Sequence, residues 1–395
     1  MHAHSIVQRF IEAQLGLMHA ARRQVMAQAV GAVIAGHFLS LTRIARGLAA
    51  PGLKAALKRI DRLIGHRRIE HEARLVGEAL LKRLALLGGT LVIAVDWSAV
   101  SPGASFVELR AAVSYPGMGR ALTVYHEVYA QSQLGNAKIE EALLDTLYAC
   151  LGGRKAVIVI TDAGFRRAWF THVEQLGWAW IGRVRRGVSI GHAPSPGTWR
   201  WEAVSSWFAR ARGKARRFSP CCLSKRGRWP CELVLVRRRV AKAKRYRRPG
   251  HGSTPKAVRE ARQSAHEPWL LVHSARLHDH PPEQIVAFYA RRMHIEESFR
   301  DSKSSSYGMG QDIGRSRSAL RLQALLLIAT LAAFLLWHIG QLAEAEGVHR
   351  RFKATTRLTR ELSLITLARL ICALPQLPLS DFAVHALYVR LGVRQ

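Results

Sequence analysis

Acidic side chains are scarce in this sequence. Against 60 Lys and Arg stand 27 Asp and Glu, a formal charge of +33 over 395 residues. That imbalance excludes a surface that repels polyanions and makes DNA, RNA or an anionic membrane the leading partner. Cysteine is sparse as well. Cys150, Cys221, Cys222, Cys231 and Cys372 are odd in number, too few for a disulfide-built scaffold, and never spaced Cys-x-x-Cys. A reducing, cytoplasmic compartment is therefore expected. Cys221, Cys222 and Cys231 lack a fourth ligand at finger spacing, so structural zinc is not expected. The first residues contain no apolar core of signal-peptide length. The apolar run from Ala324 to Trp337 falls short of the roughly 20 residues a membrane span needs. It reads as a buried core helix, which moves the choice of polyanion from lipid to nucleic acid. With 49% hydrophobic and 22% charged residues, an intrinsically disordered chain is excluded. No internal repeat is visible.

Residues 1–86 read as a helical region. Apolar positions recur at spacings of three and four in Ile44, Leu48 and in Leu53, Leu57, Ile60, Leu63, Ile64. The stretch from Gly47 to Gly52, with Pro51, separates them as a turn. The second helix carries Lys54, Lys58, Arg59 and Arg62. An apolar face for packing and a basic face for phosphates and base edges are what a DNA-reading helix-turn-helix requires. An ordinary basic helical hairpin has the same pattern.

Residues 87–340 change texture. β-Branched and apolar runs at Thr90–Trp97, Phe106–Ser114 and Ala121–Ala130 read as strands. A helix over Lys138–Leu151, a buried strand over Ala156–Asp162, a helix near Arg166–Leu176 and a strand over Trp178–Val184 follow. A meander followed by strand–helix alternation predicts a mixed α/β sheet with helices on its faces. Residues of about 186–266 form a basic insertion, partly strand and flexible near Lys242–Ser253. Between Ser205 and Arg248 it holds 16 Lys or Arg and one acid, Glu232, with Trp207, Trp229 and Tyr246 interleaved. This composition reads as a surface for a DNA backbone. Trp269–His273 returns to the core as a strand, and a long helix runs from about Glu283 to Ser304. The apolar helix around 319–339 and a C-terminal helical region, 341–395, close the chain.

Asp96 and Asp162 each end a buried strand run. Open α/β sheets place their ligands at that end, although strand-end Asp is also a common turn or cap residue. A third acid comes from the predicted helix. At about 100° per residue, Tyr289, Arg292, Glu296 and Lys303 fall on one helical face and Glu297 falls off it. A solvated salt-bridge face accounts for Arg292 and Glu296 alone, but not for acids at the ends of apolar strands. Two strand-end Asp and one helix Glu suit two divalent ions, which take hard oxygen ligands and serve phosphoryl transfer. His278-Asp279-His280 lies in a proline-rich loop and reads as a solvated turn.

The spacing Tyr289-x2-Arg292-x3-Glu296-x6-Lys303, preceded by Asp96 in Val-Asp-Trp-Ser and Asp162 in Ile-Thr-Asp-Ala-Gly-Phe-Arg, resembles the signature of the insertion-sequence family-four transposases. The resemblance covers residues from about 90 to 340. It implies an RNase H-like fold with a β-rich insertion between the second Asp and the Glu. It implies Asp96, Asp162 and Glu296 as catalytic acids holding two Mg²⁺ or Mn²⁺ ions. Cut-and-paste transposition through a DNA hairpin on terminal inverted repeats, followed by joining to target DNA, comes with it. So do a homodimer at synapsis and a bacterial, nucleoid-associated location. The family further implies that Trp269, in Glu-Pro-Trp twenty residues before Tyr289, holds a base out of the stack. Tyr289, Arg292 and Lys303 would contact the neighbouring phosphates. Two rival readings stand beside this one: a DNA-binding protein without catalysis, and an RNase H-like nuclease that cuts without joining.

Overall fold

The computed structural model describes residues 3–374 except 17, 37, 87–88, 101–104, 117–118, 186, 196–197, 227, 239–266, 306–307 and 315; beyond 374 it describes 385–386 and 389. The expected flexible segment Lys242–Ser253 and most of the expected C-terminal helical tail therefore lie outside the described residues. Two compact units divide the chain: Met1–Ala156 with Met293–Gln395, and Val157–Arg292.

The first unit begins with helices α1 (Ala3–Gln14), α2 (Ala20–Ile34), α3 (Leu41–Arg46), α4 (Leu53–Ile64) and α5 (Ile69–Ala85). The Ser40 hydroxyl caps α3 by accepting from the Arg43 N–H, which satisfies one of the donors a helix start leaves open. Helix α4 buries Ala56, Ile60, Leu63 and Ile64. Lys54, Lys58, Arg59 and Arg62 are exposed, as an amphipathic helix requires. The Arg59 guanidinium donates to the Ala49 carbonyl, tying α4 to the preceding turn.

Strands β1 (Leu91–Ala99), β2 (Phe106–Val113) and β3 (Leu122–Ala130) form an antiparallel meander in the order β3-β2-β1. Residues 91–95 of β1 are wholly buried, and burial eases from Asp96 onward. Asp96 pairs with Arg110 and Ser98 with Glu108. Because side chains alternate along a strand, these four share one face of the sheet. Helix α5 packs on β3 through Gly77, where a Cβ would meet the Val124 carbonyl at 2.8 Å. Helix α6 (Ala137–Leu151) follows, capped by Asn136.

After the second unit the chain re-enters the first with α10 (Met293–Lys303), α11 (Ala319–Ala345) and α12 (Leu364–Ala373). Helix α11 extends the predicted apolar run to 27 residues, long and apolar enough to cross a membrane by length and composition. In the fold, 78% of its most apolar window is buried, against α12, β3, α2 and α5. A helix apolar all round is what such enclosure demands.

The second unit starts with β4 (Val157–Thr161), α7 (Arg167–Gln175) and β5 (Ala179–Val184). Strands β4 and β5 are parallel, the arrangement that needs a crossover helix between them. All five β4 residues are buried, which explains the unbroken Val-Ile-Val-Ile run. Four antiparallel-paired strands then build the insertion: β6 (Ser189–Ser195), β7 (Thr198–Ala203), β8 (Arg216–Leu223) and β9 (Trp229–Val236), with the short helix α8 (Val204–Ala209). Strand β10 (Trp269–His273) lies between β5 and β9, antiparallel to both. Helix α9 (Pro282–Ala290) ends the unit.

One predicted element divides. The helix expected over Glu283–Ser304 breaks at Arg291–Arg292 into α9 and α10. The Arg291 and Arg292 N–H groups reach back only three residues, to the Phe288 and Tyr289 carbonyls, so the α-helical ladder ends there.

Candidate active site

In the first unit, Asp96 is half-buried on β1, and its Oδ1 accepts from the Trp97 N–H at 2.9 Å. The Trp97 indole donates to Glu140 Oε1 at 2.9 Å and its ring lies 5.9 Å from Tyr129. The last residue of α10, Lys303, extends over the same sheet face and donates from Nζ to Ser98 Oγ at 2.6 Å. Burial lowers the Lys303 pKa, while Glu108 and Asp96 oppose that shift and Arg110 adds to it. The structure thus brings Asp96 and Lys303 into one electrostatic neighbourhood. Glu296 stands in the first turn of α10 and is exposed, where a carboxylate complements the helix dipole.

Beneath Lys303 lies a buried ion pair that sequence reasoning did not single out. Arg110 donates to Glu108 from Nε at 3.1 Å and from Nη2 at 2.8 Å. The two side chains are 3% and 0% exposed. Arg110 also stacks 4.3 Å over the Phe299 ring and reaches Ser302 Oγ at 3.4 Å. The pair seats α10 on the sheet beside Asp96. On the same helix, His294 Nδ1 lies 2.7 Å from Ser114 Oγ.

In the second unit, Asp162 follows β4 directly. Its Oδ1 accepts from the Gly164 N–H at 2.7 Å, a turn that fixes the carboxylate at the strand end. Gly164 has little room for more, since a Cβ there would sit 3.0 Å from that oxygen. Tyr289 is 2% exposed. Burial pushes its phenol up to about 12, against the pull of Arg292 and Arg183; Asp162 adds to the rise and Arg185 opposes it. Arg292 is 7% exposed. Asp162, Tyr289 and Arg292 therefore gather, together with Arg183 on β5, which the sequence reading did not identify; the single helical face expected for Tyr289, Arg292, Glu296 and Lys303 is interrupted by the break at Arg291–Arg292. The signal available was an arginine closing a buried strand, Ala-Trp-Ile-Gly-Arg. Trp269 opens β10 half-buried, its ring edge-on to Tyr289 at 5.0 Å and 84°, with the Arg238 guanidinium 4.3 Å from the ring centre.

Glu232, the acid singled out in the basic insertion, is inward-facing. It pairs with His278 Nδ1 at 2.5 Å and with Arg217 Nε at 3.6 Å. Arg217 donates to the carbonyls of Leu277, His278 and His280. These bonds pin the loop between the strand carrying Trp269 and the helix carrying Tyr289. His278 is thus held by a carboxylate within the unit. Among the described residues, no three His, Cys, Asp or Glu side chains are grouped so as to hold a metal ion.

A family model described as a transposase DDE domain matches residues 124–335. This span exceeds half of the chain, and the chain belongs to that family. Its mixed α/β architecture is RNase H-like, as the resemblance implied. Asp162, Trp269, Tyr289, Arg292, Glu296 and Lys303 lie inside the matched span; Asp96 precedes it. No curated protein matches the chain.

Proposed function

We propose that the protein is a transposase of the hairpin-forming, cut-and-paste type. It binds terminal inverted repeats as a homodimer, excises the element and joins its 3′-OH ends to target DNA in the bacterial nucleoid. The observation that supports this most is the gathering of Asp162, Tyr289 and Arg292 within a chain of the DDE family. Arg292, by its two-pronged fork, and Lys303, as a point charge, contact phosphates near the reacting strand, whereas Tyr289, expected to share that contact, is 2% exposed and packs edge-on against Trp269. Trp269 holds the flipped base by stacking. The exposed Lys54, Lys58, Arg59 and Arg62 of α4 read the repeat.

Asp96, Asp162 and Glu296 are the residues that would hold Mg²⁺ or Mn²⁺. Their carboxylate oxygens are the hard donors such ions prefer, and backbone N–H groups already orient Asp96 and Asp162. When bound, two such ions supply activation of the attacking oxygen and stabilisation of the leaving one.

The test is incubation of the protein with labelled duplexes of its own element ends and Mg²⁺. A hairpin product is expected, and Asp96→Ala, Asp162→Ala and Glu296→Ala are each expected to abolish cleavage while retaining end binding. Binding without any strand cleavage identifies a DNA-binding protein without catalysis. Nicks without hairpin or joined product identify a nuclease.

A further inference from the structure

In the first unit, α3 and the start of α11 border a surface pocket of about 590 Å³. Four guanidinium groups line it: Arg43 and Arg46 from α3, and Arg317 and Arg321 from the approach to α11 and its first turn. No acid lines it. Asp61 of α4 pairs with Arg321, whose Nη1 lies 2.9 Å from Asp61 Oδ1. Arg43 rests 4.8 Å over the Phe38 ring. Arg43, Arg46 and Arg317 are exposed, and among the described residues none of the three has an ion-pair partner. Ser316 also lines the pocket, with a buried hydroxyl oxygen that lacks a hydrogen-bond partner.

Three uncompensated guanidinium groups around one concavity repel each other, and a bound polyanion relieves that repulsion. Guanidinium forks match phosphate oxygens in pairs. Helix α3 is also the element that precedes the exposed basic helix α4. In a helix-turn-helix the first helix crosses the DNA backbone while the second enters the groove. We propose that this pocket seats backbone phosphate of duplex DNA, with Arg43, Arg46 and Arg317 as the binding residues. The assignment rests on the transposase reading and adds to it a second grip, clamped between the helix-turn-helix and α11, apart from the base-reading face of α4.

The experiment uses the full chain and the double variant Arg46→Gln/Arg317→Gln. A charge-matched control, Arg350→Gln/Arg351→Gln, changes two other exposed arginines. Thermal unfolding establishes that all three are folded. Fluorescence anisotropy then measures affinity for a labelled element-end duplex from low to high salt. Each phosphate contact contributes about 0.9 to the slope of log K against log salt. The pocket variant is expected to lose close to two units of slope and at least about tenfold in affinity at low salt, with the control close to wild type. A wild-type slope in the pocket variant, or the same loss in the control, overturns the assignment. Thermal protection by inorganic phosphate that vanishes in the pocket variant, with duplex binding unchanged, makes the pocket a small-anion site and also overturns it. Hairpin formation by the wild-type protein is scored on the same duplex. Cleavage with an unchanged slope rejects the pocket alone, whereas a wild-type protein that binds but does not cleave rejects the transposase reading alone.

Discussion

Lys303 Nζ and Ser98 Oγ lie 2.6 Å apart, and this bond ties the last residue of α10 to the strand that carries Asp96. Burial disfavours the Lys303 ammonium more than Glu108 and Asp96 favour it, so its pKa falls below the ordinary lysine value. The sign of its linkage to stability follows. Between the lowered pKa and 10.5 the unfolded chain binds more protons, so stability rises with pH through that window; below it the full burial penalty is present. Lys303→Met removes the buried charge and keeps the aliphatic stem. The variant is expected to lose DNA cleavage while its melting temperature at pH 7 equals or exceeds that of wild type. A fall of more than about 3 °C would show that the ammonium stabilises the fold.

Tyr289 titrates in the opposite sense. Its phenol is held protonated up to about 12, so it acts as a neutral hydrogen-bond donor at any working pH. The difference in unfolding free energy between wild type and Tyr289→Phe is expected to be constant below pH 10. It should then shift against wild type as pH rises from 10 toward 12, where the unfolded phenol ionises before the folded one. Unfolding measured at several alkaline pH values, with tyrosinate absorbance recorded in parallel, checks this. A parallel pH dependence for the two proteins rejects the buried-phenol assignment.

The Glu108–Arg110 pair is nearly solvent-free. Removing one partner strands a buried charge, at a cost of about 3–5 kcal/mol. Glu108→Leu and Arg110→Met are each expected to destabilise by that order in denaturant unfolding. Glu108→Leu/Arg110→Met together should recover most of the loss, because neither charge remains. A double variant as unstable as the sum of the single ones would mean that the two side chains are not coupled.

That pair also illustrates where the sequence stops being legible. The strands were readable from runs such as Val157–Thr161, which are buried on both faces. Asp162 could be read from its position directly after its strand, but Asp96, expected to end one, lies inside β1, which continues through paired residues to Ala99. In Phe106–Val113, charges two residues apart point to a solvent face by composition, yet that face is buried because the charges neutralise each other under Phe299 and Ser302. The break at Arg291–Arg292 was equally silent. No Pro or Gly lies between Glu283 and Ser304, so composition does not mark the interruption, which falls at Arg292, a residue 7% exposed. The single helical face expected of Tyr289, Arg292, Glu296 and Lys303 is divided by that break, and the first two residues belong to a different unit from the last two.

Gly340 is a packing position that tolerates no side chain. It lies in α11 where α12 begins to cross, and a Cβ there would run into the Leu364 backbone carbonyl. Gly340→Ala forces the two helices apart and is expected to cost about 1–3 kcal/mol, despite the better helix propensity of alanine. Thermal unfolding measures this, and a variant as stable as wild type would mean that α12 is free to shift.

Trp269 is the most direct probe of hairpin chemistry. Its ring meets Tyr289 edge-on and leaves the Arg238 guanidinium over one face. Stacking on an aromatic side chain contributes about 1–3 kcal/mol per base, and that contribution is required only once a base leaves the helix. Trp269→Ala is therefore expected to slow hairpin closure by roughly ten- to a hundredfold, with first-strand nicking and end binding changed far less. Trp269→Phe, which keeps an aromatic face, should restore much of the closure rate. Single-turnover assays that resolve nicked and hairpin products decide the matter: equal losses in both steps, or no recovery by phenylalanine, would place Trp269 in the packing around Tyr289 instead of against the DNA.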